Sequence, residues 1–268
     1  MSDLGSRYAK ANNNFNFNLR SSKSKTRKRR KQSKNTKQTK DLIKKTVHNE
    51  MAEEKAAAPL VARNNRIFNE LNDVIQAVSL MPSIGQSVGQ GGRIGNNIYT
   101  RRVMLYLQIS VDQVLTGSTN VDPPKFVDVF IFKYKKSNKM DSSAWSQFLQ
   151  YGDTTTTYSS GLIPECGGFD INKDTFTIKK RMRFQLWNPD PNNTNATATR
   201  CQNAIAKKID ITKFYKKNLM YNDDVTNVVS NDNLFLSVVY TNNDQQNYST
   251  TLSIGNFDVT VLYEYDDI

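Results

Sequence analysis

Histidine is almost missing from this chain; the only one is His48. It stands at the end of a polar, charged arm, so a Ser-His-Asp or Cys-His arrangement has no ordered base. Cysteine is nearly as scarce. Cys166 and Cys201 lie far apart, which excludes a disulfide framework and reads as two free thiols in a reducing compartment. Two distant cysteines and one histidine do not build a zinc site, and no H-E-x-x-H occurs. The chain has no Gly-Lys dipeptide and hence no P-loop, and the glycines at 85, 89, 91, 92 and 95 do not satisfy G-x-G-x-x-G. Asp223-Asp224 and Asp266-Asp267 are acidic pairs of a kind that suits a hard cation. Both sit in turn-like or terminal sequence, where solvated surface charge is the plainer account. The expectation is a protein that is not an enzyme and carries neither metal nor cofactor.

Long apolar runs are absent too. Nothing reaches the roughly 18 residues of a membrane-spanning helix, so no membrane insertion is expected. The start, MSDLGSRYAKANNNFNF, has no apolar stretch of signal-peptide length, which argues against export by that route. The sequons at Asn192, Asn195 and Asn247 fit exposed loops, and without a secretory signal no glycan is expected on them.

Acidic residues are the last scarcity, and a local one. Residues 1–48 hold 15 Lys and Arg against Asp3 and Asp41, a net of +13, while the remaining 220 residues carry 22 basic and 23 acidic side chains, a net of −1. The whole-chain charge of +12 therefore belongs to one tail. A strong field of one sign attached to a nearly neutral body attracts polyanions, and nucleic-acid phosphate is the first reading. The tail is rich in Asn, Ser, Lys and Arg and shows no hydrophobic periodicity, so it cannot bury enough apolar surface to offset its ordering entropy; a disordered arm is expected. Its centre, KSKTRKRRK (residues 23–31), has seven basic residues in nine, the density of a nuclear-localisation or nucleic-acid patch. A merely solvated charge run is the alternative.

Residues 49–81 read as a helical connector. EMAEEKAAA consists of strong helix formers and stops at Pro59, and Ile67, Leu71, Val74, Ile75 and Val78 recur at helical spacing before Pro82. Such a stripe suits either packing beneath the main domain or contact with a neighbouring subunit. From residue 82 the period changes to two. After a glycine-rich stretch (IGQSVGQGGRIG), YTRRVMLYLQISVD places Val103, Leu105, Leu107, Ile109 and Val111 on one face and Arg102, Gln108, Ser110 and Asp112 on the other, a half-buried strand. FVDVFIFKYKK is apolar on both faces, as a central strand is. SSAWSQFLQYG reads as a short helix or turn, followed by a threonine-rich loop to about Phe169. In TFTIKKRMRFQL, Phe176, Ile178, Met182 and Phe184 are expected to face inward, with Lys179, Arg181 and Arg183 opposite. KKIDITKFY, DNLFLSVVY and FDVTVLYEY are further strands, and Ile254-Gly255-Asn256 suggests a bulge before the last. Strands joined by long loops, with few helices, mean an all-β sandwich or barrel.

A basic arm, a proline, the turn GQGGRIG leading through NNIYTRRVMLYLQI, a strand ending in FKYKK, the mid-chain strand TFTIKKRMRFQL and a terminal strand together resemble the capsid proteins of circular, replication-initiator-encoding single-stranded DNA viruses, the circovirus-like group. The resemblance covers residues 82–268 in order and spacing, with Arg93-Ile94-Gly95 its most specific local feature; the long stretch 49–81 departs from it. It implies a single jelly roll of about eight strands in two facing sheets over residues 82–268. It also implies self-assembly into an icosahedral shell of about 60 subunits, with the arm on a single-stranded DNA genome. The loops at 113–125, 137–170, 187–204 and 242–250 would then form the outer surface and the subunit contacts, and the place of work would be the virion and, during assembly, the host nucleus. Host nuclear import receptors and an unidentified cell-surface receptor are the further partners this implies.

About 60 arms of +13 bring roughly 780 positive charges, enough to neutralise a large share of a small genome and release its counterions. The arm residues expected on phosphate are Arg20, Lys23, Lys25, Arg27, Lys28, Arg29, Arg30, Lys31, Lys34, Lys37, Lys40, Lys44 and Lys45. Lys25, Arg27, Lys28, Arg29, Arg30 and Lys31 double as the nuclear-localisation run. In the body, Arg101, Arg102, Lys179, Arg181 and Arg183 are candidate contacts, as are Lys133, Lys135 and Lys136 around Tyr134, whose ring would stack a base; solvated strand faces or inter-subunit salt bridges are the alternatives. Two other readings stand beside the DNA-virus capsid: a coat protein of a small or satellite RNA virus, and a non-viral, sequence-independent nucleic-acid-binding protein.

Overall fold

The structure is a computed structural model. It describes residues 39–40, 42, 53–68, 70–87, 91–111, 125–158, 168–186, 204–222, 227–241 and 255–267. Contacts divide the chain after Ala52 into two units. Of the first, Thr39, Lys40 and Leu42 are described, exposed and helical in backbone. The second unit carries all the strands that the described residues form.

Thirteen strands follow one another in this unit: β1 (Glu53–Ala56), β2 (Leu60–Arg66), β3 (Val78–Ser79), β4 (Asn97–Val111), β5 (Lys125–Tyr134), β6 (Leu149–Tyr151), β7 (Thr154–Thr156), β8 (Asp170–Ile171), β9 (Phe176–Leu186), β10 (Ala204–Asp210), β11 (Asn218–Met220), β12 (Phe235–Thr241) and β13 (Gly255–Asp267). A six-stranded sheet runs β1-β13-β4-β10, with β2 beside β1 on β13 and β11 beside β10 on β4. A four-stranded sheet runs β3-β12-β5-β9, and β7-β6-β8 form a small third one. All named pairings are antiparallel. The chain is all-β.

The two larger sheets share one core. Val103, Leu105, Leu107 and Ile109 of β4 and Val259, Val261 and Tyr263 of β13 meet Val127, Val129 and Ile131 of β5 and Leu236 and Val238 of β12. The period of two in those segments is what two facing sheets require, because alternate side chains point to opposite faces. Strand β5 is buried on both faces. Its outward set, Phe130, Phe132 and Tyr134, enters a second cluster with Met140, Trp145, Phe148, Tyr158, Phe176 and Phe235. The segment between β5 and β9 supplies that cover: a helical turn, Ser142–Trp145, capped by Asp141, and the small sheet. The expected loop at 137–170 is thus partly built structure. Edge-to-face rings hold it, among them Phe132–Trp145 at 5.8 Å and Phe148–Phe176 at 5.0 Å.

Several expectations are corrected. The helical connector of 49–81 is not helical where described: it forms β1, β2, β3 and one 3-10 turn, Val74–Gln76, so the described strands begin at Glu53 rather than after residue 82. Alanine and glutamate favour a helix, but β13 offers a ladder from Glu53↔Asp267 to Ala56↔Glu264, and burial alternates, with Lys55 and Ala57 inside and Glu54 and Ala56 outside. The apolar stripe does not share a face either: Ile67 lies in the inter-sheet core, Leu71 in the outer cluster, and Ile75 is 71% exposed. The strand after the glycine turn is therefore not the first of the fold. Within KKIDITKFY only the front half is strand, since Thr212–Phe214 is a 3-10 turn.

Bulges fall elsewhere than expected. Gly255 and Asn256 pair regularly with Val111 and Ser110, while the register on β13 shifts at Phe257/Val259 and at Glu264/Tyr265. A further extra residue, Lys179, separates Ile178 from Lys180 opposite β5. It turns β9 over: Phe176 and Ile178 pack outward in the second cluster, and Met182 and Phe184 pack inward.

Candidate nucleic-acid interface

Of the arm residues expected on phosphate, Lys40 is described and exposed. Arg20, Lys23, Lys25, Arg27, Lys28, Arg29, Arg30, Lys31, Lys34, Lys37, Lys44 and Lys45 lie outside the described residues, as do His48, Cys166, Cys201 and the three sequons.

The body candidates do not form one patch. Arg101 is a bulge residue of β4 engaged by Glu54 and by Asp266 at 3.4 Å. Arg102 is exposed opposite Glu264. Thr212 hydrogen bonds, helped by the charges of Arg102 and Lys213, lower the carboxyl pKa of nearby Asp210. Lys179 is exposed at the β9 bulge. Arg181 and Arg183 converge on Asp128 of β5, which is fully buried: Arg181 Nε donates to Oδ1 at 3.2 Å, Arg183 Nη2 to Oδ2 at 2.7 Å, and the Tyr158 hydroxyl to Oδ2 at 3.1 Å. One carboxylate thus pairs with both guanidinium groups and holds them against the sheet.

Tyr134 is a correction. Its ring is 6% exposed and tilted against Phe176 at 5.5 Å, so it is core and cannot stack a base. Burial, with the charge of Asp141, raises its pKa. Lys133 beside it is tied to buried Asp232 at 2.5 Å. The structure does bring Lys133, Lys135 and Lys136 together with Lys216 around a cleft of about 330 Å³. There Lys135 Nζ donates to the Lys173 carbonyl, Lys136 Nζ to Gln147 Oε1 and Lys216 Nζ to the Asn231 carbonyl.

In the turn that carried the family resemblance, Gly92 and Arg93 are buried and Ile94 is exposed. Arg93 is fully buried, donates to the carbonyls of Ile84 and Gly95 and to Asn96 Oδ1, and lies 4.5 Å over the Tyr221 ring. A side chain at Gly92 would meet Ser87 Oγ at 2.0 Å, so the turn requires glycine there. Asp267, expected as solvated terminal charge, is buried instead: it accepts from Lys55 Nζ at 2.9 Å and from the Ile94 amide at 2.7 Å. Among the described residues no group of three His, Cys, Asp or Glu stands ready for a metal ion, and no helix is long and apolar enough to cross a membrane.

One surface was missed by reading the sequence. The outer face of the six-stranded sheet carries a shallow groove of about 540 Å³ lined by Arg63, Tyr106, Gln108, Lys207, Lys208 and Asp258. In register, Lys208 sits opposite Tyr106, which sits opposite Thr260. Lys208 Nζ is 5.2 Å from the Tyr106 ring centre, a cation–π contact on an exposed face. Tyr106 shares the parity of Arg102 and Gln108, so the alternation alone put it outward; its lysine partner depends on the β4–β10 register.

No protein-family model and no curated protein sequence matches this chain.

Proposed function

We propose that this chain is a viral capsid protein that self-assembles into a small icosahedral shell and packages a single-stranded DNA genome through its basic arm. One observation carries the reading: a nearly neutral all-β body whose strand order suits a jelly roll, joined to an arm of +13. With β1 and β2 counted as one strand and β10 and β11 as one, the two large sheets comprise β1/β2, β3, β4, β5, β9, β10/β11, β12 and β13, eight in all. The six-stranded sheet then runs first-eighth-third-sixth and the four-stranded sheet second-seventh-fourth-fifth. First pairs with eighth, second with seventh, third with sixth and fourth with fifth, as when one long antiparallel ribbon wraps around a core. A subunit of that strand order suits repeated contacts under closed symmetry. Binding through the arm is blind to sequence, because its cations meet phosphate. Import receptors reading residues 25–31 would take the chain to the nucleus for assembly, and the finished protein works in the virion.

Deleting residues 1–48 tests the division of labour. The truncated chain is expected to assemble into empty particles; equal nucleic-acid content in full-length and truncated particles would contradict it. Nuclease typing of the packaged strand separates DNA from RNA, and RNA would replace this reading with the RNA-virus coat protein.

A further inference from the structure

We infer that the groove on the outer face of the six-stranded sheet is a second nucleic-acid site, which takes a single strand by stacking a base on Tyr106 and holding its phosphates with Lys208 and Arg63. The inference rests on the packaging function proposed above and adds to it a contact outside the arm. Tyr106 is 36% exposed in mid-strand on a sheet face, with the Lys208 ammonium 5.2 Å from its ring centre. Lys208 stands in register with the ring one strand away on β10; on β2, beyond β13, Val61 is the residue in line, and Arg63 reaches the same groove two residues further along. Gln108 and Thr260 add hydrogen-bonding groups beside the ring. Asp258 is the single carboxylate in the lining, and it already accepts from the Asn64 amide at 2.8 Å.

The backbone explains how Arg63 arrives there. Asn64 takes a positive φ of 57°, at the place where β2 carries an extra residue against β13. That left-handed step suits asparagine and re-aims the neighbouring side chain. An exposed aromatic between cations is the recurring platform for single-stranded nucleic acid, since every base has a π-face and every linkage a phosphate. Duplex DNA offers no free base face, so the site discriminates strand state rather than sequence.

The test uses the full chain and a deoxythymidine oligonucleotide carrying 5-iodouracil, photocrosslinked and mapped by peptide mass spectrometry. The expected result is a crosslink on Tyr106 besides those on the arm. Binding is also measured at salt high enough to screen the arm's phosphate contacts. There Tyr106→Ala should weaken single-strand binding about tenfold, Tyr106→Phe should restore it, and duplex binding should change little. Lys208→Ala combined with Arg63→Ala should weaken both and flatten the salt dependence. Crosslinks confined to the arm, or equal single-strand affinity for wild type and Tyr106→Ala, would overturn the inference. Particle formation is scored in parallel by electron microscopy: particles without the Tyr106 crosslink remove this site alone, whereas a Tyr106 crosslink on a chain that never forms particles removes the capsid reading and leaves the site.

Discussion

The two large sheets of this protein treat their outer faces in opposite ways. The four-stranded sheet turns Phe130, Phe132, Tyr134, Phe176 and Phe235 outward and buries them beneath the segment between β5 and β9. The six-stranded sheet turns Arg102, Tyr106, Gln108 and Lys208 outward, and these stay exposed. The inner faces are alike, Val, Ile and Leu against one another, so a common core is not what separates the sheets. The difference teaches that one sheet spends its second face on stability and the other keeps it for contact. An exposed face that carries Tyr106 beside Lys208 contributes little to folding, which makes it the place to look for a ligand.

The largest effect that sharpens this contrast belongs to the covered face. Phe132→Ala removes a ring packed against Trp145, Phe148, Phe176 and Phe235 and should cost about 3–5 kcal/mol in urea unfolding. A loss below about 1 kcal/mol would mean that the insertion is not packed on the sheet. Next, Asp128→Ala should cost roughly 1–3 kcal/mol, because it strips buried carboxylate bonds from Arg181, Arg183 and Tyr158. The partial exposure of both arginines keeps the figure below that of a fully buried pair.

A pH effect reports on the core the sheets share. Burial raises the phenol pKa values of Tyr215, Tyr221 and Tyr263 above their ordinary 10.0. Their protonated forms are favoured in the fold, so this contribution is complete below pH 10 and is lost as pH rises beyond it. Ionisation of these three tyrosines should therefore accompany unfolding; their ionisation well before the sheet signal is lost would contradict the packing. The smallest stability effect is expected on the bare face: Tyr106→Ala and Lys208→Ala should stay within about 0.5 kcal/mol of wild type in the same urea unfolding.

How far the sequence reached depends on where each residue's partner lies. The inward set of β4, the double burial of β5 and the course of β12 and β13 follow from alternation, a local property. Strand β1 does not: its residues favour a helix, and the ladder that overrides them comes from Asp267, at the far end of the chain. Tyr134 was misassigned because alternation tells which face a residue is on, but not whether that face is covered. The cover described, residues 135–158 and 168–174, is mostly polar in sequence, and its few rings are what hold it down. The arm's charge, in contrast, is plain in composition. The groove was half visible, Tyr106 by parity, with Lys208 and Arg63 added by pairing across strands.

The central claim is that this chain builds a closed shell around nucleic acid, and electron microscopy of the purified, nuclease-treated full-length protein, with its absorbance ratio at roughly 260 and 280 nm, tests it most directly. Uniform round particles with a high ratio, their nucleic acid protected from nuclease, are the predicted result. Small dispersed protein at every salt concentration tried, with single-stranded DNA supplied and bound, would contradict it and leave a nucleic-acid-binding protein without a shell.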